Sequence, residues 1–258
     1  ETVGTPLKDW DINIYRGVLT GYNEAFIIST EKRDEILANC QTEDERTRTA
    51  ELIRPILRGR DIKRYGYNWA NLWLINTHNG IRGKLERVHI EDYPAIKAHL
   101  DQYWDRISKR ADKGDTPYNL RNCAYLEDFS KPKILWKRVG SILRFCYNDN
   151  EALGLDSTCF AIGNNIEFVC CVLNTPMGHY LLKDAPKTGT GDLLISVQAV
   201  EPIKLPSVTH ELNIEFKRLL EMMIANCSDD IENEISQKIF NLYGLSHEEQ
   251  RYIEENFT

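Results

Sequence analysis

A chain of 258 residues, 42% apolar and 10% aromatic, is long and apolar enough for a buried core, as one large domain or a domain with a smaller appendage. No run of about 18 apolar residues occurs, and the polar opening ETVGTPLKDW does not resemble a secretion signal, so a soluble, cytoplasmic protein is expected. The formal net charge of −7 belongs to one end: residues 211–258 carry eleven acidic against four basic side chains, and the remainder sums to zero. Within that remainder, 46–64 holds seven basic and two acidic residues, and 131–144 holds five basic and no acidic one. Phosphate attraction depends on such local clusters rather than on totals, so the acidity excludes no nucleic-acid partner. The chain begins at Glu1 rather than at methionine and is read as a fragment of a longer protein.

In chain order, INIYRGVL and EAFIIS read as two extended runs around a TGYN turn. Residues 44–53 read as a helix stopped by Pro55, which cannot donate the helical hydrogen bond. The LRGRDI turn and a strand, NLWLINT, follow. Asp92 as N-cap and Pro94 in the first turn start a helix that buries Ile96, Leu100, Tyr103 or Trp104, and Ile107. Strands are expected at KPKILWKRV, ILRFCY and TCFAIG, then a short apolar helix, IEFVCCVLN, and strand-like LLISVQAV leading to EPIKLP. Beyond Pro206 the spacing becomes helical. Leu212, Phe216, Leu219 and Met223 form one stripe, and Ile231, Ile235 and Ile239 another, closed by Gly244; Ser246 and Glu249 form a capping box for a last helix. The pattern predicts an α+β fold: a mixed-sheet domain over 1–205 and a helical, acidic segment over 206–258 that is expected not to face a nucleic acid.

Catalytic chemistry finds little support. An adenine methyltransferase needs a glycine-bearing loop for its methyl donor and an Asn/Asp-Pro-Pro-aromatic turn for the flipped base. No Pro-Pro dipeptide occurs, and Lys187-Thr-Gly-Thr-Gly191 lacks phosphate-loop spacing and reads as a surface turn. Asp128, Lys131 and Lys133 come nearest to a nuclease set, but the acidic-x-Lys triplet is missing. The seven cysteines show no two-residue spacing, and Cys146, Cys159, Cys170 and Cys171 read as buried small apolar residues. Six scattered histidines suggest no metal site. No catalytic residue and no metal ligand is assigned.

Three clusters have chemistry suited to DNA. In Arg16-Gly-Val-Leu-Thr20-Gly21-Tyr22-Asn23, two glycines allow close backbone approach, and Thr20, Tyr22 and Asn23 offer polar groups to phosphates or base edges; by residue chemistry alone a structural hairpin with Tyr22 and Phe26 packed inward is the simpler reading. In Arg58-Gly59-Arg60-Asp61-Ile-Lys63-Arg64, forked arginines suit phosphate or guanine, or Asp61 pins an arginine within an exposed turn. Lys131-Pro-Lys133-Ile-Leu-Trp-Lys-Arg138 is read as a strand with a basic face along DNA, or as a half-buried strand with a solvated face.

These clusters, in this order, resemble the TaqI-like C-terminal specificity domain of restriction-modification (type IIG) adenine-specific DNA methyltransferases. RGVLTGYNEAFII is similar to the segment that opens that domain, and IRPILRGRDIKRY and Leu72-Trp-Leu-Ile75 to the segments that follow it. Arg110-Ala-Asp-Lys-Gly114 matches its R-x-D-x-G pattern, Lys131-Pro-Lys-Ile134 its pKI strand, Cys171-Val-Leu-Asn174 its LLNS helix end, and the terminal IFNLYGLSHEEQRYIEE its last helices. Tyr118 stands where the family has tryptophan, and Lys204 interrupts the closing lPIP motif. The resemblance implies a module, without activity of its own, that grips duplex DNA for a methyltransferase domain upstream in the same polypeptide, where S-adenosylmethionine would bind. The alternative is an interaction scaffold docking a partner through the acidic helices. The expected DNA-contacting set is Arg16, Thr20, Gly21, Tyr22, Asn23, Arg58, Gly59, Arg60, Lys63, Lys131, Lys133 and Arg138. Base-reading residues are expected in the stretches between motifs, within 76–87 or 138–150.

Overall fold

Successive side chains of a strand point to opposite faces, and this alternation organises residues 3–257, the part of the chain described by the computed structural model. After a short β1 (Thr5–Pro6), the chain forms β2 (Ile12–Arg16), one helical turn α1 (Asn23–Phe26) and β3 (Ile27–Ser29). Two helices, α2 (Thr30–Ala38) and α3 (Glu43–Leu52), are capped by Ser29 and Thr42, whose side chains accept from the N–H groups of Lys32 and Glu45. Next come β4 (Ile53–Leu57), β5 (Leu72–Ile75), α4 (Pro94–Asp101) and α5 (Trp104–Ile107). The strands β6 (Lys133–Lys137), β7 (Val139–Gly140), β8 (Phe145–Asn148), β9 (Leu153–Gly154) and β10 (Thr158–Gly163) follow, then α6 (Ile166–Asn174) and α7 (Pro176–Leu181). The chain closes with β11 (Leu193–Leu194), α8 (Val197–Val200), β12 (Lys204–Leu205) and the helices α9 (His210–Ala225), α10 (Asp229–Tyr243) and α11 (His247–Asn256).

The fold is α+β. Its central sheet is antiparallel in the order β2-β10-β6-β8, and a second, mixed sheet runs β3-β5-β4-β9. β4 changes partner at its proline: Ile53, Arg54 and Pro55 pair with β5, whereas Ile56 and Leu57 pair in parallel with β9. A residue without an N–H is tolerated where the ladder changes sides.

The central sheet is buried on both faces. Ile134, Trp136, Phe145, Tyr147, Cys159 and Ala161 join one apolar cluster, while the intervening Leu135, Cys146, Phe160 and Ile162 join another. The first cluster holds α6 with the terminal helices; the second lies beneath the mixed sheet, α4 and α5. Two-sided burial replaces the solvated or DNA-facing side expected for KPKILWKR, because β6 is an inner strand covered above and below. The four cysteines at 146, 159, 170 and 171 are buried, and burial pushes the Cys159 thiol up to about 11.

Other sequence expectations need correction. The two runs around TGYN form no hairpin with each other: β2 pairs with β10 and β3 with β5, so the turn bridges two sheets. The N-cap of α4 is Tyr93, since Asp92 closes a preceding 3-10 turn, although Pro94 does occupy the first turn. Only Leu193–Leu194 of LLISVQAV is strand, and Val197–Val200 is helix. At the other end, Gly244 closes α10 in the left-handed conformation at φ 65°, and Ser246 and Glu249 form the reciprocal capping box of α11.

The terminal helices complete the first cluster. Phe216, Leu219, Leu220, Ile235, Ile239 and Phe240 are buried with Phe168 and Cys171 of α6. The Phe168 and Phe216 rings lie 5.0 Å apart, and the Asn213 side chain accepts from the Phe168 N–H at 3.1 Å. Removing residues 206–258 uncovers this face of α6, so the shortened chain is expected to bind a hydrophobic dye and lose its near-ultraviolet circular dichroism. A cooperative unfolding transition in that truncation would show the terminal helices to be dispensable.

Candidate nucleic-acid interface

One end of the central sheet gathers basic residues from three segments. The loop 154–158 is the junction. Gly59 donates its N–H to Ser157 Oγ at 3.0 Å, Arg138 donates its N–H to Ser157 O at 3.0 Å, and Arg16 approaches Asp156 at 3.8 Å. Close packing here depends on glycine: a Cβ on Gly17 would run into the Leu155 carbonyl, and one on Gly59 would lie 2.8 Å from Lys137 Cγ. Arg16, Arg60, Lys137 and Arg138 therefore form one rim. Arg60 and Lys137 are exposed, and neither makes an ion pair among the described residues.

The remaining expected contacts divide. Arg58 is forked onto the buried carboxylate of Asp61 (Nε to Oδ2 3.1 Å, Nη2 to Oδ1 2.8 Å), which also accepts the Arg58 N–H at 2.8 Å. Its guanidinium shapes the turn that presents Arg60. Gly59 is buried and Lys63 half-buried. Arg64 donates to Glu232 of α10 and, at 2.6 Å, to the Asn174 carbonyl, so the acidic helices do touch the basic loop at one point. Lys131 pairs with Asp128 at 2.7 Å and precedes β6, at the far end of that strand from Arg138.

Lys133 is fully buried and donates to Asn148 Oδ1 at 3.0 Å and the Asn150 carbonyl at 2.7 Å, so it cannot reach a ligand at the surface. Among the described residues no carboxylate bonds it, and burial pulls its ammonium down to about 8. Thr20 is likewise buried: its hydroxyl donates to Asn23 Oδ1 at 2.5 Å and accepts from the Tyr22 N–H at 3.1 Å. Tyr22 is half-buried against Tyr103 and donates to Glu24, while Gly21 and Asn23 lie exposed in the turn, Gly21 at φ 71°.

The residue that fixes this region is Arg110, which carried no role in the sequence reading beyond its place in the R-x-D-x-G match. It is 7% exposed and lies over the Phe26 ring with Cζ 4.5 Å from the centroid. Its guanidinium donates to four main-chain carbonyls: Thr20, Asp112 at 2.6 Å, Pro117 at 3.0 Å and Asn119 at 2.6 Å. Burial lowers it to about 10, which leaves it charged at neutral pH. Asn119 in turn donates to the Val88 carbonyl at 2.9 Å, and Leu120 donates its N–H to Thr77 O at 2.8 Å. The β2–α1 turn, the 76–88 loop and the 110–120 loop are thus held as one body.

Between these loops lies a cleft of about 290 Å³ lined by Arg16, Asn76, His78, Asn79, Arg121 and Asn122 among others. Among the described residues no group of three or more His, Cys, Asp or Glu side chains is disposed to hold a metal ion, and no helix is long and apolar enough to cross a membrane.

No family model and no curated protein matches the sequence. The fold, however, is shared with two solved restriction-modification enzymes. The type IIL restriction-modification enzyme MmeI, solved in complex with DNA, matches 95% of this chain at a TM-score of 0.64 and 10% identity. The type IIG restriction endonuclease BpuSI matches 84% at a TM-score of 0.53 and 11% identity. The chain spans 35% of the MmeI chain and 26% of the BpuSI chain. At such identities the likeness is one of fold, and it falls on the class that the sequence motifs resemble.

Arg110→Ala strips a charged donor from four carbonyls and is expected to destabilise the chain by at least about 3 kcal/mol, with Arg110→Lys recovering little because an ammonium cannot fork. Urea midpoints measure both. Lys133 gives a pH signature. Its folded pKa lies below the ordinary lysine value, so the unfolded chain binds more protons from pH about 8 to about 10.4, and stability rises with pH across that window. The stability of the native chain relative to Lys133→Met is expected to climb between these limits, and a flat difference would contradict the burial of the charge.

Proposed function

We propose that this chain is a duplex-DNA recognition module of a restriction-modification adenine methyltransferase. The observation that carries the reading is the rim of Arg16, Arg60, Lys137 and Arg138 at one end of the central sheet, on a fold shared with an enzyme solved on DNA. Four cations presented by a rigid sheet end suit the regularly spaced phosphates of a duplex, and three of them, Arg60, Lys137 and Arg138, make no ion pair among the described residues. In this reading the module positions a target adenine for an upstream methyltransferase domain of the same polypeptide, and S-adenosylmethionine belongs to that domain. This chain has no Asn/Asp-Pro-Pro-aromatic turn with which to hold the flipped base.

The proposed contact set is narrower than the sequence suggested. Phosphate contact is assigned to Arg16, Arg60, Lys137 and Arg138, with Gly21, Tyr22 and Asn23 at its margin. Thr20, Arg58, Gly59 and Lys133 hold the turns and strands that carry these residues. Nothing favours the scaffold reading, since the apolar stripes of α9 and α10 are committed to the core.

Fluorescence anisotropy with a random-sequence duplex at several salt concentrations tests the proposal. Affinity is expected to fall with salt, and the double substitution Arg60→Ala, Lys137→Ala is expected to reduce the slope of log K against log salt by about 2. Salt-dependent binding with an unchanged slope would remove these two residues from the interface, and no binding at low salt would remove the function.

A further inference from the structure

We infer that the cleft between the β2–α1 turn, the 76–80 loop and the 120–126 loop is a base-reading site, with His78 and Arg121 as specificity-determining residues. The inference rests on the DNA-binding reading above and extends it from phosphates to sequence.

The first observation is the kind of group presented. Phosphate gripping needs only cations, but the cleft is lined by three amide side chains, an imidazole and two guanidinium groups, the side chains whose donor and acceptor patterns match base edges. His78 Nδ1 accepts the N–H of Gly80 at 3.2 Å, so a neutral ring carries its proton on Nε2 and offers a donor there. Burial lowers the pKa of this ring and keeps it neutral at physiological pH. Arg121 stands at the mouth, its side chain 55% exposed and joined to Asp112 at 3.2 Å through Nη1. At the floor Asn76 is 7% exposed, and its Oδ1 has no hydrogen-bond partner among the described residues. A buried amide oxygen without a donor is costly in a purely structural role.

The second observation is rigidity. Asn79 is clamped from three directions: its Nδ2 donates to Asp115 Oδ1 at 3.0 Å and to Asn122 Oδ1 at 2.5 Å, and its Oδ1 accepts the Asp115 N–H at 2.8 Å. Together with the four carbonyls gathered by Arg110, this sets the walls before any ligand arrives, the condition under which polar groups discriminate well.

The third observation is continuity with the rim. Arg16 both lines the cleft and meets Asp156 of the loop that organises Arg60 and Arg138. A duplex resting on the rim would bring its base edges to the cleft without any rearrangement of the sheet. The 138–150 stretch, the other place where base readers were expected, offers Arg144 and an Ile142 that is 60% exposed, while its amides Asn148 and Asn150 are taken up by Lys133, Tyr67 and neighbouring main-chain N–H groups.

The test is selection of the full 258-residue chain on a randomised duplex pool at low salt, run in parallel for His78→Ala, Arg121→Ala and Arg144→Ala. Circular dichroism checks that each variant is folded, and exposed Arg121 decides the outcome if His78→Ala is not. The unaltered chain is expected to enrich one motif. Arg121→Ala and His78→Ala are each expected to weaken the preference at one or two positions by about tenfold or more, with the salt slope on random DNA unchanged. The same motif from all three variants would overturn the inference, as would a motif altered only by Arg144→Ala or binding without enrichment; in each of these cases the DNA-binding reading survives. Absence of any binding by the unaltered chain would overturn both.

Discussion

A guanidinium buried without a carboxylate bonded to it is the constraint on which the candidate interface depends. Arg110 cannot shed its proton at neutral pH, so its charge has to be balanced by dipoles, and four main-chain carbonyls converge to do so. Those carbonyls belong to two loops that are distant in sequence. The carbonyl of Thr20 is one of them, and this explains why a threonine in a glycine-rich turn is buried: the turn is drawn down onto Arg110 while Gly21 gives the backbone the positive φ that it needs. Phe26 beneath the guanidinium adds a ring face to the same arrangement. Loops are ordinarily the least fixed part of a fold, and here a single charge removes that freedom.

The central sheet supplies the complementary constraint. A sheet buried on both faces has no free side with which to meet a ligand, so anything it contributes to recognition leaves through its end. This is where β6 and β2 deliver Lys137, Arg138 and Arg16, and where the 154–158 loop ties them to the Gly59 turn. The acidic helices fit the same plan. Their apolar faces close the sheet from one side, and their charge meets the basic loop at Arg64, where Glu232 neutralises a cation that belongs to the framework.

Features governed by local rules were legible in the sequence. The helix over 43–52, the capping box at Ser246, the left-handed stop at Gly244 and the strands of the central sheet follow from periodicity and capping chemistry. Features decided by tertiary context were not. Period-2 alternation states that a strand has two faces but not that both are covered, so Lys133 read as a surface cation although it lies at 0% exposure. Two extended runs around a glycine turn look like a hairpin whether they pair with each other or, as here, join separate sheets. Arg110 sat inside a recognisable pattern, yet nothing local distinguishes a buried guanidinium from a solvated one. Its one sequence signal was the pair of loops on either side, each rich in turn residues and each needing its carbonyls satisfied.

That distinction bears on how the basic clusters are to be understood. Among the cations of 58–64, Arg58 is held by Asp61 and Arg64 by Glu232, which leaves Arg60 as the exposed and unpaired arginine of the turn. A count of basic residues therefore overstates what a phosphate would meet, and the excess is structural. The buried carboxylate of Asp61 has its charge met by the half-buried Arg58, and the fork between them sets the 3-10 turn whose middle residue is Arg60. One arginine thus fixes the backbone that aims the next. The same logic runs from Arg110 to the cleft, where one buried cation orders the loops that present Arg121 and His78. In both places a charge withdrawn from solvent gives a neighbouring, exposed group a defined position, and a defined position is what separates reading a sequence from merely adhering to a charged polymer.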